Sequence, residues 1–224
     1  ITMEVYPFGE NSVLVLDLNG QYVYFFQALR DIITEGGSLL YSFRRSLGGE
    51  FLGILRYYIA SPFSAIVALF PETHITEALL VMFLLKTGLC GLTFGSYIEA
   101  TRKRNRPMTV VFSTLYALCA YAVVMQHNTM WIDNLIYLPL ILLGVENIIK
   151  NGKYKMFVIT LSLAIMSNFY IGYMTCIFVA LYFFYYYYSL SPEERNPLGV
   201  KFHLAKTIGK MAVFSAVAII ISAV

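Results

Sequence analysis

The stretch MFVITLSLAIMSNFYIGYMTCIFVALYFFYYYYSLSP, residues 156–192, contains no charged side chain. As one α-helix it would be about 55 Å long at 1.5 Å per residue, whereas the hydrocarbon core of a bilayer is only about 30 Å thick. The pattern therefore predicts two membrane helices that fold back on each other, near 156–169 and 171–189. We expect the break within SNFYIG (167–172), because a polar pair and a glycine interrupt the apolar pattern there.

Most of the remaining chain is equally apolar. Further segments that could cross a membrane lie at 75–100, 107–127, 131–149 and 207–224. The composition agrees, with 58% hydrophobic and 13% charged residues and a mean hydropathy of +0.67, against roughly 45–50% and about 25% in soluble domains. We therefore expect an all-α polytopic membrane protein with its transmembrane region at 75–224.

The two ends of the sequence are also informative. The chain starts at Ile1 without a basic leader, and it stops inside the apolar run 213–224. We expect it to be an internal piece of a longer polytopic protein. A net charge of +3 is small, so nucleic acid is not an expected partner. The three cysteines lie in apolar segments, which argues against a disulfide framework.

Basic residues predict the orientation. They are concentrated at 102–106 (RKRNR) and at 150–155, and such clusters usually lie on the cytoplasmic side. The hairpin predicted at 156–189 then returns residues 193–210 to that same side. Residues 1–74 are then extracytoplasmic, and the tyrosines of 182–188 lie at the cytoplasmic interface, where aromatic side chains commonly anchor helices.

The predicted extracytoplasmic segment 1–74 is long for a connection without structure. Residues 18–35 have the pattern of a helix that ends at Gly36-Gly37. Ser61-Pro62 opens a second apolar helix, FSAIVALF, which is too short to span a membrane. We expect these short helices to lie in the membrane interface or to pack on the membrane domain.

Asp17 is the candidate catalytic residue of this segment. It stands in VLVLDLNGQYVYFF (13–26), with Gln21 one helical turn later. Its carboxylate could cap the following helix. It could also act as a general base that removes a proton from an acceptor hydroxyl, with Gln21 positioning that hydroxyl. The sequence leaves both roles open.

Lys86 lies near the middle of the first predicted span, where an ammonium costs about 2.5–3.5 kcal/mol on insertion scales. We expect it to meet an anion, which could be Asp133, an acid on a helix beyond this stretch of sequence, or a lipid phosphate. His127, Trp131 and Asp133 fall in the loop HNTMWIDN (127–134). This loop either faces water or closes the roof of a cavity beneath residues 17–62, so that His127 or Asp133 joins Asp17.

Three arginines surround the glycine-rich stretch SLGGEFLG (46–53). These candidate phosphate ligands are Arg44, Arg45 and Arg56, because guanidinium groups and turn amides both bind phosphate. The stretch lacks the strand and helix context of a nucleotide loop. Ordinary turn glycines with solvated arginines are the alternative.

Several segments together resemble one family. In chain order they read DLNGQYVYFFQAL, GGSLLYSF, LGGEFLG, YYIASPF, LLKTGL, MWIDNLIYLPLILLGVE and SNFYIGYMTCIF. This series is similar to the bacterial YfhO family of multispanning membrane proteins over most of residues 9–180. The resemblance implies a GT-C type glycosyltransferase, in which the first extracytoplasmic loop carries short interfacial helices and an acidic catalytic residue.

The resemblance also implies the partners and places the site. A polyprenyl-phosphate sugar is the implied donor, and lipoteichoic acid or another surface polymer is the implied acceptor, outside the bacterial cell membrane. The loop acid falls on Asp17. Other positions match the family pattern, with roles in substrate binding that we infer: Gln21, Lys86, Trp131, Asp133, Asn168 and Tyr170. Some related folds use two acids and a divalent metal, and since Asp17 has no adjacent acid the metal requirement stays open.

Two other functions are compatible with the sequence. A lipid or anion transporter could use Lys86 and the break at Asn168 to line its route, since buried charges and broken helices are also transporter features. A non-catalytic subunit of a cell-envelope assembly complex is the third reading. Transport does not require a long outer segment with interfacial helices, so we favour the transferase.

Overall fold

The computed structural model describes residues 9, 11–43, 47–101, 106–196 and 199–223. Helices dominate these residues. Strand structure within them is limited to β1 (Tyr41–Ser42) and β2 (Gly49–Glu50), which pair antiparallel. The expectation of an all-α polytopic membrane protein is therefore confirmed.

The helix predicted at 18–35 is present in two parts. A π-helical turn, Leu18–Tyr22, leads directly into the α-helix α1, Val23–Glu35. Gly36 follows with a φ of 80°, a conformation that glycine adopts at little cost. Asp17 already has helical backbone angles, and its carboxylate makes no capping hydrogen bond. The sequence left a capping role open, but Asp17 does not cap the helix in this structure.

Two short helical pieces follow and meet at a sharp bend. The three-residue helix α2, Leu52–Ile54, continues as the π-helical turn Leu55–Ile59, and a 3-10 helix runs over Pro62–Leu69. The two pieces are bent by 101° relative to each other. Ser61 caps the second one by accepting a hydrogen bond of 3.2 Å from the amide of Phe63. Serine is a preferred residue at a helix N-cap, and proline is a preferred residue in the first turn.

The 3-10 helix packs against the membrane helices rather than standing in water. Val67 is fully buried in a cluster with Phe26 of α1 and with Leu79 and Met82 of the following helix. The predicted second helix is thus present, in 3-10 rather than α form, and it lies on the bundle. A short 3-10 turn, Glu72–His74, then joins it to that bundle.

Within the described residues, four helices are long and apolar enough to cross a membrane, or up to six if each sharply bent pair forms one span. The four are α3 (Ile75–Thr101), α6 (Thr129–Asn151), α8 (Phe169–Ser189) and α10 (His203–Ser222). A bent pair, at 41°, consists of α4 (Arg106–Ala117) and α5 (Ala120–Val124), the latter continuing as the 3-10 turn Met125–His127. Two shorter helices complete the set: α7 (Lys155–Ser167) and α9 (Pro192–Arg195).

The break predicted within 167–172 lies at Asn168. Its backbone is extended, with φ −161° and ψ 114°, so α7 ends before it and α8 starts after it. The side chain of Asn168 caps α8 by accepting a hydrogen bond of 2.9 Å from the amide of Ile171. Gly172 then lets α8 approach α7 closely, since a Cβ there would lie 2.8 Å from the Cα of Ile165.

Helix α6 lies at the centre of the bundle, in contact with α3, α7 and α8. A Cβ on its Gly144 would lie 2.8 Å from the backbone of Phe157, so the close crossing of α6 and α7 depends on glycine. Small residues at crossings are typical of membrane helices, because they let backbones approach. One end of α6 lies near Asp17 and the other near several lysines; we call these the Asp17 end and the lysine end.

Candidate functional site at the Asp17 end of the bundle

A buried ion pair lies beneath the start of α6. Lys86 Nζ is 2.7 Å from Asp133 Oδ1, and the two residues are 1% and 0% exposed. The ammonium also donates a hydrogen bond of 2.8 Å to the carbonyl of Thr129 and lies 5.7 Å from the ring centroid of Phe63. Of the three anions expected as partners of Lys86, the carboxylate of Asp133 is therefore the one that pairs with it in the structure.

This pairing changes two expectations. The ammonium of Lys86 is enclosed by protein groups, so a lipid phosphate is not its partner in this structure. Asp133 does not lie in a water-facing loop; it lies in the second turn of α6, fully buried. The contact is an ion pair without hydrogen-bond alignment, and Asp133 Oδ2 has no hydrogen-bond partner among the described residues.

Asp17 is connected to the start of α6 by side chains that sequence reasoning missed. The hydroxyl of Tyr22 lies 3.4 Å from Asp17 Oδ2 and 3.3 Å from Asn128 Oδ1, both long for hydrogen bonds of this type. Asn128 Nδ2 in turn lies 3.0 Å from Nε2 of His127. His127 therefore reaches Asp17 only through Asn128 and Tyr22, rather than by direct contact.

Tyr22 is suited to remain a donor in this network. Burial and, to a smaller extent, the nearby charge of Asp17 raise the pKa of Tyr22 to about 12. Its phenol therefore keeps its proton throughout the physiological range and can donate to a carboxylate. Asp17 itself is exposed, so an incoming hydroxyl group could reach its carboxylate.

A row of aromatic rings runs from Tyr22 to the membrane helices. The ring centroids are 5.1 Å apart for Tyr22 and Tyr58, 4.6 Å for Tyr58 and Tyr57, and 5.7 Å for Tyr57 and Phe169. Tyr57 and Tyr58 are half-buried, so part of each ring faces outward. We call these four rings the aromatic row.

Asn168 holds the aromatic row to the bundle. Its Nδ2 donates a hydrogen bond of 3.0 Å to the carbonyl of Tyr57, while its Oδ1 caps α8. Asn168 is fully buried, and both ends of its amide are used by protein groups. It therefore has a positioning role in this structure, whereas Tyr170 two residues later is exposed.

At its far end, the aromatic row borders a cavity of about 550 Å³. The cavity lies between the bundle and the short helices of residues 18–69, which we call the juxtamembrane helices. Leu29 and Ile59 line one side of it, and Ile165 and Phe169 line the other. Its lining is mainly apolar. The polar groups at its edge include Arg56 and the buried Ser64 hydroxyl, which has no hydrogen-bond partner among the described residues.

Neither Asp17 nor Lys86 lines this cavity. Leu29 of the cavity lies 12 residues after Asp17 in the same helical segment, which corresponds to roughly 18 Å along a helix. The acid is therefore separate from this cavity, and the aromatic row lies between them.

The other predicted site residues have varied environments. Gln21 is exposed. Trp131 is half-buried, and its Nε1 has no hydrogen-bond partner within the described part of the chain. Arg44 and Arg45 lie outside the described residues. Within the described part of the chain, no group of three or more His, Cys, Asp or Glu side chains is placed to hold a metal ion.

Together, the apolar helices and the juxtamembrane helices packed on them define a multi-pass, all-α membrane protein. A family model described as "Bacterial membrane protein YfhO" matches residues 1–224, and the chain therefore belongs to the YfhO family. It is similar to "Uncharacterized protein YfhO" of Bacillus subtilis (strain 168), with 27% identity over 179 residues.

That match covers 72% of this chain and 20% of the Bacillus subtilis protein. The chain thus spans about one fifth of the length of this relative. No solved structure matches the chain.

Proposed function

We propose that this chain is part of a GT-C type glycosyltransferase that moves a sugar from a polyprenyl-phosphate donor to a surface polymer. Lipoteichoic acid or a related polymer outside the bacterial cell membrane is the proposed acceptor. The observation that carries the proposal is the aromatic row, which connects the apolar cavity between the juxtamembrane helices and the bundle to an exposed carboxylate. The family resemblance of the sequence supports the same assignment.

The cavity suits the lipid part of such a donor. Its volume of about 550 Å³ lies within the range of about 300–1,000 Å³ that is usual for small-molecule sites. Leu29, Ile59 and Ile165 provide an apolar lining for an isoprenoid chain. Arg56 lies at the cavity and is exposed, and its guanidinium group can bind a phosphate through two parallel hydrogen bonds.

The aromatic row is suited to binding the sugar of the donor. The outward parts of Tyr57 and Tyr58 offer flat apolar faces and hydroxyl groups between the cavity and Asp17. Aromatic side chains with a polar tip are well suited to amphipathic ligands. In this arrangement the phosphate stays near Arg56 and the sugar extends toward Tyr22 and Asp17.

Asp17 would act as the general base. Its carboxylate takes the proton of the acceptor hydroxyl while that oxygen attacks the anomeric carbon of the sugar. The bond from the anomeric carbon to the phosphate oxygen breaks, and the lipid phosphate leaves with the bonding electrons. Because one bond forms as the other breaks on the opposite face, the anomeric centre is inverted. Tyr22 helps to hold the carboxylate in place.

The test uses the full-length protein in membranes with a labelled polyprenyl-phosphate sugar and a surface-polymer acceptor. Asp17→Asn should lower transfer at least 100-fold, as expected for loss of a general base, at an unchanged protein level. Glu35→Gln is the matched control, since Glu35 is an exposed acid at the other end of α1. Transfer that survives in Asp17→Asn would remove Asp17 from this role.

Arg56 provides a second readout in the same assay. Arg56→Gln should raise the KM for the donor several-fold and affect kcat less, because a ground-state contact with the phosphate is lost. Arg56→Lys should recover part of the effect through its retained charge. An unchanged donor KM in Arg56→Gln would mean that the phosphate lies elsewhere.

A further inference from the structure

A second cavity, of about 600 Å³, lies at the lysine end of the bundle. It is formed where α6 ends and α10 begins, so it is remote from the Asp17 end. Four lysines line it: Lys150, Lys153, Lys206 and Lys210. Lys206 and Lys210 are four residues apart on α10 and therefore share a helix face.

The lysines converge from both sides of the cavity. Lys150 is in the last turn of α6, and Lys153 follows the turn at Gly152. A Cβ added to Gly152 would lie 3.4 Å from Nζ of Lys210, so the ammonium of α10 reaches the end of α6. Lys206 lies in the first turns of α10.

Ion pairs within the described residues do not balance these lysines. Among the residues that the structure describes, ion pairs join Arg30 to Asp31 and Lys86 to Asp133, and none includes a lysine of this cavity. Hydrogen bonds with Ser191 lower the pKa of Glu194, and the nearby charge of Lys150 lowers it to a smaller extent. Those bonds cap its own short helix.

The buried acid of α6 near this end is also committed elsewhere. Oε1 of Glu146 accepts hydrogen bonds of 2.9 Å from Tyr97 and 2.8 Å from Tyr182. Glu146 does not line the cavity. Its hydrogen-bond partners are tyrosines, and no ion pair joins it to a lysine of this cavity among the described residues.

Helix dipoles are too small to supply the missing negative charge. The C-terminus of α6 contributes the equivalent of about −0.5 elementary charge, and the N-terminus of α10 contributes about +0.5. These contributions nearly cancel, whereas four lysines carry four positive charges. Lysines beside a helix N-terminus are also on the unfavourable side of its dipole. An external anion would balance the arrangement.

The surroundings point to the depth of lipid headgroups. Lys150 Nζ lies 5.4 Å from the ring centroid of Tyr186, and the hydroxyl of Tyr187 lies 3.1 Å from Nδ1 of His203 at the start of α10. Tyrosines next to basic residues at helix ends are typical of the membrane interface. Ile148 and Ile149 add apolar lining to the same cavity.

We propose that this cavity binds the headgroup phosphate of an anionic membrane phospholipid through its four lysines. Basic pockets between membrane helices are known to bind such headgroups. The apolar lining from α6 would accompany the start of an acyl chain, which a free phosphate lacks. This site is independent of the proposed donor cavity, because it lies at the opposite end of α6.

The test measures binding of phosphatidylglycerol to the purified full-length protein by native mass spectrometry, with phosphatidylcholine as the zwitterionic comparison. Lys206→Gln/Lys210→Gln should raise the Kd for phosphatidylglycerol at least tenfold. Lys155→Gln/Lys201→Gln is the matched control, because it removes the same charge from exposed lysines outside the cavity. It should change the Kd less than twofold, and neither pair should alter phosphatidylcholine binding.

Two further arms identify the ligand and guard against misfolding. Inorganic phosphate at 10 mM should leave the phosphatidylglycerol adduct in place, and Lys206→Arg/Lys210→Arg should keep the Kd within threefold. If both glutamine pairs weakened phosphatidylglycerol binding equally, general surface charge would explain the effect and the proposal would be overturned. Displacement by inorganic phosphate would assign the site to free phosphate, and loss of binding in the arginine pair would contradict a charge-based site.

Discussion

Lysine is used in two different ways at the two ends of this molecule. At the Asp17 end, Lys86 is buried and its charge is matched by Asp133 at 2.7 Å. At the lysine end, four lysines surround a cavity of about 600 Å³ without a matching ion pair among the described residues. A buried charge needs an opposite charge within the fold, whereas charges at the interface can be balanced by a bound ligand.

The different surroundings of these lysines explain the difference. Removing an ammonium from water into a low-dielectric interior costs several kcal/mol unless an opposite charge and hydrogen bonds compensate it. At the membrane interface, water and headgroups screen the ammonium groups, so their mutual repulsion is weaker. The buried charge of Lys86 therefore depends on Asp133, whereas the four lysines of the proposed headgroup site do not need a partner within the fold.

The largest effect is expected from breaking the buried pair. Lys86→Met should destabilise the protein by about 3–5 kcal/mol, because it leaves the carboxylate of Asp133 buried without a counter-charge. Lys86→Met/Asp133→Leu should recover most of that loss, since an apolar pair of similar volume is tolerated. Denaturant unfolding of the full-length protein in detergent measures both. A loss below about 1 kcal/mol in the single variant would refute the structural role of the pair.

A smaller effect is expected from a neutral buried group at the same end. Asn168→Ala should cost about 1–3 kcal/mol, because the amide of Ile171 and the carbonyl of Tyr57 both lose their partner. Ser96→Ala is the control, as Ser96 is exposed and bonds only within its own helix. The same unfolding assay applies, and equal stability of the two variants would show that Asn168 does not hold the aromatic row.

The smallest effect on stability is expected at the lysine end. In phosphatidylcholine, Lys206→Gln/Lys210→Gln should change the free energy of unfolding by no more than about 0.5 kcal/mol, as is usual for substitutions without a specific partner. A slight gain is consistent with less repulsion between like charges. A loss of several kcal/mol in thermal or denaturant unfolding would mean that these lysines are structural, like Lys86.

Sequence reasoning located the helices well but the contacts of the site only partly. The break at Asn168 was predictable, because a polar pair interrupts a charge-free run. The need of Lys86 for an anion was also predictable, from the cost of a charge at that depth. Tyr22 and Asn128 were missed, since they are 106 positions apart and neither carries a distinctive local signal. The 3-10 form of Pro62–Leu69 likewise has no clear sequence pattern.

The amino-acid sequence alone indicated that the protein lies in a lipid bilayer, and it gave the approximate helix limits and the basic clusters. Hydropathy, length and charge are properties of neighbouring residues, so a local pattern is enough to reveal them. Folding in three dimensions decided which anion Lys86 meets, how the aromatic row connects Asp17 to a cavity, and where α6 and α10 bring four lysines together. These features depend on contacts between segments that are distant in the chain. Helix packing selects such contacts, and local patterns do not encode them one by one.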